Sequence, residues 1–128
     1  MESLGIHIMA EYSKCDYSLI NDVSYIEKVM LESAELAGAT IISSSFHRFS
    51  PHGVSGVIVI QESHMAIHTW PEYRFASADI FTCGDSVNPW KAYEHLKKSL
   101  GAENGTAFKI SRGTNLQSEV PEINVRDK

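Results

Sequence analysis

The sequence predicts an α+β fold, a two-layer sandwich in which an antiparallel sheet carries two helices on one face. Three observations carry that expectation. Strand-like segments follow one another with only short turns between them, which is the mark of antiparallel pairing. Two other segments repeat apolar residues at three- and four-residue steps, the helical period. The 128 residues contain no repeat and no internal linker, so a single domain spanning 1–128 is expected.

Gly5 to Tyr12 alternates Ile6, Ile8 and Ala10 with His7, Met9 and Glu11, and reads as a half-buried strand. A turn follows at Cys15-Asp16. Asn21 to Ala37 places Val23, Ile26, Met30, Ala34 and Ala37 on one helical face. Asn21 or Asp22 can cap that helix, and Gly38 can end it in a left-handed conformation. Ala39 to Phe46 is small and β-branched, a second strand, and Ser50-Pro51-His52-Gly53 is a turn by its breakers. Val54 to Gln61 has the strongest strand propensity in the chain. His64 to Trp70 and Phe75 to Cys83 read as two more strands, divided at Pro71-Glu72-Tyr73. Asn88-Pro89-Trp90 starts the second helix, whose buried stripe is Trp90, Tyr93, Leu96 and Leu100, and Gly101 stops it. Thr106 to Ser111 can form a last strand. From Thr114 onward the chain turns polar, and 114–128 is expected to be a loose tail.

A sheet with helices on one side leaves its other face bare. The middle strands are apolar at almost every position, so that face is expected to pair with a second copy, giving an αββα homodimer. Composition narrows the function. Hydrophobic residues make up 43% and charged residues 21%, a globular profile. Eleven Lys and Arg against sixteen Asp and Glu leave a net charge of −5, which argues against nucleic acid as a partner. No run reaches the roughly 18 apolar residues of a membrane helix. Met1-Glu2-Ser3-Leu4 lacks the parts of a signal peptide, so a cytoplasmic protein is expected, with no membrane partner. There Cys15 and Cys83 would be thiols rather than a disulfide framework.

Reactive residue types concentrate between Gln61 and Glu72, and four chemistries fit them. His64 and His68 stand at the zinc-binding step of a helix, but on a strand that spacing parts them by about 13 Å. No third ligand completes a site, and no metal is expected. Ser63 with His68 has the types of a hydrolase pair, whereas Gly53-Val54-Ser55-Gly56-Val57 fails the G-x-S-x-G elbow at its fifth residue. Cys83 with His68 fits thiol-based acyl transfer, without a local oxyanion hole. The fourth chemistry is an intramolecular N→O acyl shift, in which Ser63 Oγ attacks the carbonyl of Glu62. Positions 63 and 68 of a regular strand face opposite ways, so a shared site would require a kink near Ser63. On the residues alone, an ordinary strand-end role for Ser63 and a buried inert Cys83 stay open beside these.

The blocks His47-Arg48-Phe49, Gly53-Val54-Ser55-Gly56, Glu62-Ser63-His64, Ile67-His68-Thr69-Trp70-Pro71-Glu72-Tyr73 and Phe81-Thr82-Cys83-Gly84 stand in one order along the chain. With them the sequence resembles the bacterial and archaeal S-adenosylmethionine decarboxylases, pyruvoyl-dependent enzymes of spermidine synthesis, from about Leu4 to Leu100. The resemblance implies self-cleavage at Glu62-Ser63 into chains 1–62 and 63–128, with Ser63 becoming the pyruvoyl group. It implies that His68 takes the Ser63 α-proton from the ester, that Ser55 supports it by hydrogen bonding, and that Cys83 returns a proton to carbon after CO₂ leaves. A substrate α-amine would condense with the pyruvoyl ketone to a Schiff base, which does the work of pyridoxal phosphate without that cofactor. Phe49, Trp70 and Glu72 would shape the substrate pocket, drawn from both copies of a dimer, with Phe49 from one and Ser63, His68 and Cys83 from the other. The product would be decarboxylated S-adenosylmethionine, the aminopropyl donor.

Five positions depart from the family pattern. Arg74-Phe75 replaces Gly-Tyr, His52 stands where Tyr is commoner, and Ser77-Ala78 replaces a more apolar pair. All are expected near the pocket, so they bear on the substrate. The alternatives are an arginine or ornithine decarboxylase on the same fold, and a non-catalytic ligand-binding homologue. Arg74 discriminates if its guanidinium enters the pocket, where it would repel a cationic side chain.

Overall fold

The computed structural model describes residues 3–117. In chain order the elements are β1 (Ser3–Ser13), α1 (Tyr17–Ile20), α2 (Val23–Ala37), β2 (Thr40–Arg48), β3 (Val54–Gln61), β4 (Ser63–Trp70), a 3-10 turn (Pro71–Tyr73), β5 (Phe75–Cys83), α3 (Pro89–Ser99) and β6 (Asn104–Thr114). The strands form a single six-stranded antiparallel sheet in the order β2-β3-β4-β5-β1-β6. Helices α2 and α3 pack on each other and cover one face, so the α+β two-layer expectation holds.

Alternation explains both layers. On β3, Val54, Ile58 and Ile60 point to the helices, on β4 Met65 and Ile67, and on β5 Ala76, Ala78 and Ile80. They meet Ile26, Met30 and Ala34 of α2 and Ala92 and Leu96 of α3 in one apolar cluster. Gly56 sits under the Phe46 ring, where a Cβ would collide with it, so glycine lets the aromatic lie flat on β3.

The caps follow from local chemistry. Asp22 rather than Asn21 caps α2, accepting from Tyr25 N at 3.1 Å. Asn21 is used elsewhere, its Oδ1 accepting from Gly53 N at 3.0 Å to tie the β2–β3 loop to the helix layer. Gly38 ends α2 at φ 89°, as its sequence position suggests. Helix α1 is absent from the sequence expectation: the turn at Cys15-Asp16 continues into four helical residues because Asp16 caps them, accepting from Leu19 N. Strand β6 is longer than the expected Thr106–Ser111, since its neighbour β1 runs from Ser3 to Ser13 and offers a partner along its whole length. It also takes in Thr114, the first residue of the expected tail; most of that tail, 118–128, lies outside the described residues.

Two polar contacts join the layers. Thr69 Oγ1, buried, donates to Ile20 O at 2.8 Å and accepts from Val54 N at 2.9 Å, so one hydroxyl ties β4 to β3 and α1. Leaving those two backbone groups unsatisfied would cost about 1–3 kcal/mol each. Arg74, at φ 53°, turns its guanidinium away from the sheet face and donates to Cys15 O at 2.7 Å and Lys14 O at 3.2 Å. Its carbonyl accepts from Cys15 N, so the pair closes the β1–α1 corner.

The two thiols sit in different surroundings. Cys15 is fully buried with its Sγ donating to Tyr12 O, and burial pushes its thiol up to about 11, against the partial pull of Arg74. Cys83 is half-buried at the end of β5. Thiolates are what alkylate, and at pH 8 a thiol at about 11 is almost wholly protonated. Iodoacetamide applied to the folded protein at pH 8 should therefore label Cys83 and spare Cys15, with Cys15 becoming reactive only as pH climbs towards 11 or in denaturant. Peptide mass mapping reads this, and early labelling of Cys15 would contradict the packing.

Candidate active site

The face of the sheet away from the helices is organised in rows that run across the strands. Cross-strand register places Ser45, Val57, Ala66, Asp79, Met9 and Phe108 in one row. On one side of it runs Ser43, Val59, His64, Phe81, His7 and Ile110. On the other runs His47, Ser55, His68, Ser77, Glu11 and Thr106. The face is thus mixed rather than apolar throughout. Met9, Val57, Val59, Phe108 and Ile110 are exposed, and His64, Asp79, Phe81 and His7 stand between them.

At one end of β3 and β4 the paired residues Ser55 and His68 meet, with Ser55 Oγ 2.8 Å from His68 Nδ1. They line a cavity of about 280 Å³ together with Phe49, His52, Trp70 and Glu72. Phe49 comes from the β2–β3 loop, held in place by its N–H donating to Gly53 O and by an edge contact with His47, ring centroids 4.7 Å apart. Trp70 ends β4, its ring 6.3 Å from His68 and 5.7 Å from Phe75. Glu72 stands in the 3-10 turn, where Pro71 supplies a preset φ, and its Oε2 lies 3.2 Å from His52 Nε2. Phe49 and Trp70 are 47% and 41% exposed, so flat aromatic surface and a carboxylate are presented together to solvent. Phe49, Trp70 and Glu72 line one cavity with His68 of the same protomer, whereas the expectation above sets Phe49 and His68 on different copies.

Ser63 stands elsewhere. It is the first residue of β4, and the register Ile60↔Ser63 leaves Gln61 and Glu62 as a two-residue hairpin turn. The chain therefore reverses at Gln61-Glu62, immediately before Ser63. From Ser63 onward β4 is regular, however: Met65, Ile67 and Thr69 are buried while His68 and Trp70 are exposed. Ser63 shares the parity of the buried set, its Oγ shielded from solvent and without a hydrogen-bond partner among the described residues. His68 lies five residues on, about 17 Å along the strand and on the other face. The grouping of Ser63 with His68 in one copy therefore fails, because the turn reverses the chain without shifting the pleat that follows it.

Cys83 lies at the Ser63 end of the sheet, on the bare face, paired through β1 with Gly5. A Cβ on Gly5 would stand 3.2 Å from Cys83 Sγ and 2.6 Å from the Phe81 ring, so glycine leaves both their room. Around Phe81 gather His64, His7 and, 4.6 Å above the ring, the Arg112 guanidinium. His7 Nε2 lies 3.0 Å from Asp79 Oδ1. The sequence reading above does not single out His7, Asp79, His64 or Arg112 as a group. Their even spacing from Cys83 along β5, and register across β1 and β4, is the signal that could find them. Arg74 does not line the cavity, and Ala78 faces the core, so of the residues that depart from the family pattern His52 alone lines it. Among the described residues no three of His, Cys, Asp and Glu gather as a metal site, and no helix is long and apolar enough to cross a membrane.

Comparison with known proteins gives this arrangement a family. Residues 6–113 match the family described as S-adenosylmethionine decarboxylase. The chain is 52% identical over 122 residues to a Thermotoga maritima S-adenosylmethionine decarboxylase proenzyme, covering 95% of this chain and 94% of that protein. A Clostridium tetani protein of the same description is 51% identical over 113 residues, covering 88% and 90%. Among solved structures, the adenosylmethionine decarboxylase of Aquifex aeolicus superposes with a TM-score of 0.83 at 32% identity, covering 96% of this chain and all of that one. On family match, identity and fold together, this chain belongs to the S-adenosylmethionine decarboxylase family.

Proposed function

We propose that the chain is a proenzyme that cuts itself at Glu62-Ser63 into 1–62 and 63–128 and, as a cytoplasmic homodimer of cut protomers, decarboxylates S-adenosylmethionine. The observation that carries self-processing is Ser63 itself: a hydroxyl buried without a hydrogen-bond partner among the described residues, immediately after a two-residue turn. Buried hydroxyls are nearly always engaged, so an unengaged one needs an account, and a nucleophile with free lone pairs supplies it. Ser63 Oγ attacks the Glu62 carbonyl carbon, the C–N bond breaks, and the amine takes the proton to leave an ester. Loss of the Ser63 α-proton then expels the Glu62 carboxylate and leaves a dehydroalanine, whose imine tautomer takes up water and releases ammonia to give the ketone. A residue so placed fits conversion to a pyruvoyl group, whose ketone would bond a substrate α-amine and accept electrons from the breaking Cα–carboxylate bond.

The proton chemistry falls to His68 and Cys83. With Nδ1–H donating to Ser55 Oγ, His68 keeps the Nε2 lone pair for the α-proton. In one copy that imidazole is too far from Ser63, which favours the partner's His68. A two-fold axis between two bare faces, running across the strands, lays the Ser63–Cys83 end of one sheet over the partner's Ser55–His68 end, and does so twice. The exposed Val57, Val59, Met9, Phe108 and Ile110 then become interface. Cys83, a thiol at that same end, returns the proton to carbon. Phe49 and Trp70 offer planes for adenine and for the sulfonium, and Glu72 offers a carboxylate for the ribose hydroxyls or the cation. Arginine or ornithine is not favoured as substrate, since the relatives are named for S-adenosylmethionine and Arg74, spent on backbone carbonyls, takes no part in the choice.

Mass spectrometry of the purified protein should show two chains, the second blocked to Edman degradation, and that protein should release CO₂ from S-adenosylmethionine. A single intact chain after long incubation would remove the pyruvoyl mechanism, and release from arginine or ornithine alone would replace the substrate.

The interprotomer reading has its own test. Ser63→Ala and His68→Ala should each stay uncut alone, but mixed dimers should cut the His68→Ala chain, which keeps Ser63 and faces an intact imidazole. No cutting in verified mixed dimers would return His68 to its own protomer.

Cys83→Ala should still process substantially yet decarboxylate at least about 10²-fold more slowly, the scale of a lost general acid. Full activity in that variant would take Cys83 out of the mechanism.

A further inference from the structure

His52 contacts the carboxylate that the proposed substrate would meet, and we infer that it is a positioning residue: it holds Glu72 in the cavity and makes substrate affinity depend on the protonation of its own ring. The inference rests on the reading above in which Glu72 faces S-adenosylmethionine. The contact is His52 Nε2 to Glu72 Oε2 at 3.2 Å, both side chains about one-third exposed and both lining the same cavity as Phe49, Trp70, Ser55 and His68. The loop that carries His52 is held on both sides. Arg48 donates to Pro51 O at 3.3 Å, and Gly53 N donates to Asn21 Oδ1 at 3.0 Å. The imidazole is thus delivered to Glu72 by anchored backbone rather than by a free loop tip.

A neutral imidazole with its proton on Nε2 donates one hydrogen bond to Glu72 and leaves the carboxylate its full negative charge and its other oxygen. That state orients the acceptor and attracts a sulfonium. An imidazolium makes the same contact with a positive charge, cancels the field of Glu72 and repels the cationic substrate. Affinity should therefore be weaker at acid pH, where an imidazolium is favoured, than at alkaline pH. Tyrosine can donate the same hydrogen bond and has no cationic form. The other titratable group lining the cavity is His68, engaged by Ser55, and the cation reaching this loop from β2 is Arg48, charged throughout. Neither is altered by a change at His52.

The test compares processed wild-type enzyme with His52→Tyr, His52→Gln and Glu72→Gln, measuring KM and kcat for S-adenosylmethionine at about pH 6 and about pH 8. Two chains by mass spectrometry establish that each variant folds and cuts, and the glutamine variant stands in if tyrosine does not fit. The substrate and His68 are the same in wild type and both His52 variants, so the comparison isolates position 52. The ratio of KM at pH 6 to KM at pH 8 should be about two- to five-fold larger in wild type than in either His52 variant, the range of a partly exposed ion pair. Equal ratios in all three would overturn the inference while leaving the function standing. Glu72→Gln should raise KM at both pH values. If Glu72→Gln leaves KM unchanged, the placement of Glu72 against the substrate fails instead.

Discussion

The pleat of β4 is the constraint on which the site depends. A strand sends successive side chains to opposite faces, and β4 does so without interruption from Ser63 to Trp70. Met65, Ile67 and Thr69 are committed to the core, and Thr69 is locked further by its hydrogen bonds to Val54 and Ile20. A slip of one residue would expose all three and bury His68 and Trp70, so the register is strongly held. With it comes the separation of Ser63 from His68. No side-chain rotation in one protomer spans both the sheet thickness and about 17 Å of strand. That separation thus arises from the same alternation that builds the core.

The same face accounts for what the uncovered surface carries. An uncovered sheet meant only for a partner could be apolar throughout, and this one is not. Apolar residues flank a central strip of His7, Asp79, His64 and Phe81, with Ser55 and His68 beyond it. Glycines at the two ends make the room. Gly5 gives space to Cys83 and Phe81, and Gly56 lets Phe46 lie under β3, behind the row that holds Ser55. Ser55, His68 and Cys83 stand on strands rather than on loops, which fixes their geometry.

The residues that depart from the family pattern end in different places for identifiable reasons. Arg74, by its left-handed φ and its position after the 3-10 turn, is turned back onto the Lys14 and Cys15 carbonyls, where a guanidinium satisfies two acceptors at a chain corner. His52 is turned the other way, towards Glu72, by a loop pinned at Pro51 and Gly53. Ser77 faces His68 across the β4–β5 pair, and Ala78 faces the core. Proximity along the chain does not distinguish these cases; backbone direction does.

Much of this is legible in the chain itself. Alternation in β3 and β5, the helical spacing of α2, the left-handed stop at Gly38 and the Pro-led start of α3 are local signals, since each depends on residues within a few positions of one another. The ordered blocks around Ser63, His68 and Cys83 also point to the family, and Phe49, Trp70 and Glu72, expected together, share a cavity. Helix α1 escapes a local reading because its one turn rests on a single cap at Asp16, and β6 reads short because strand length there is set by pairing with β1. What sequence alone determined was the alternation of each strand and the chemistry of the residues on it. Only the tertiary structure decided which of those residues meet, because cross-strand register, the direction of Arg74 and His52, and the distance from Ser63 to His68 are set by contacts between segments far apart in the chain.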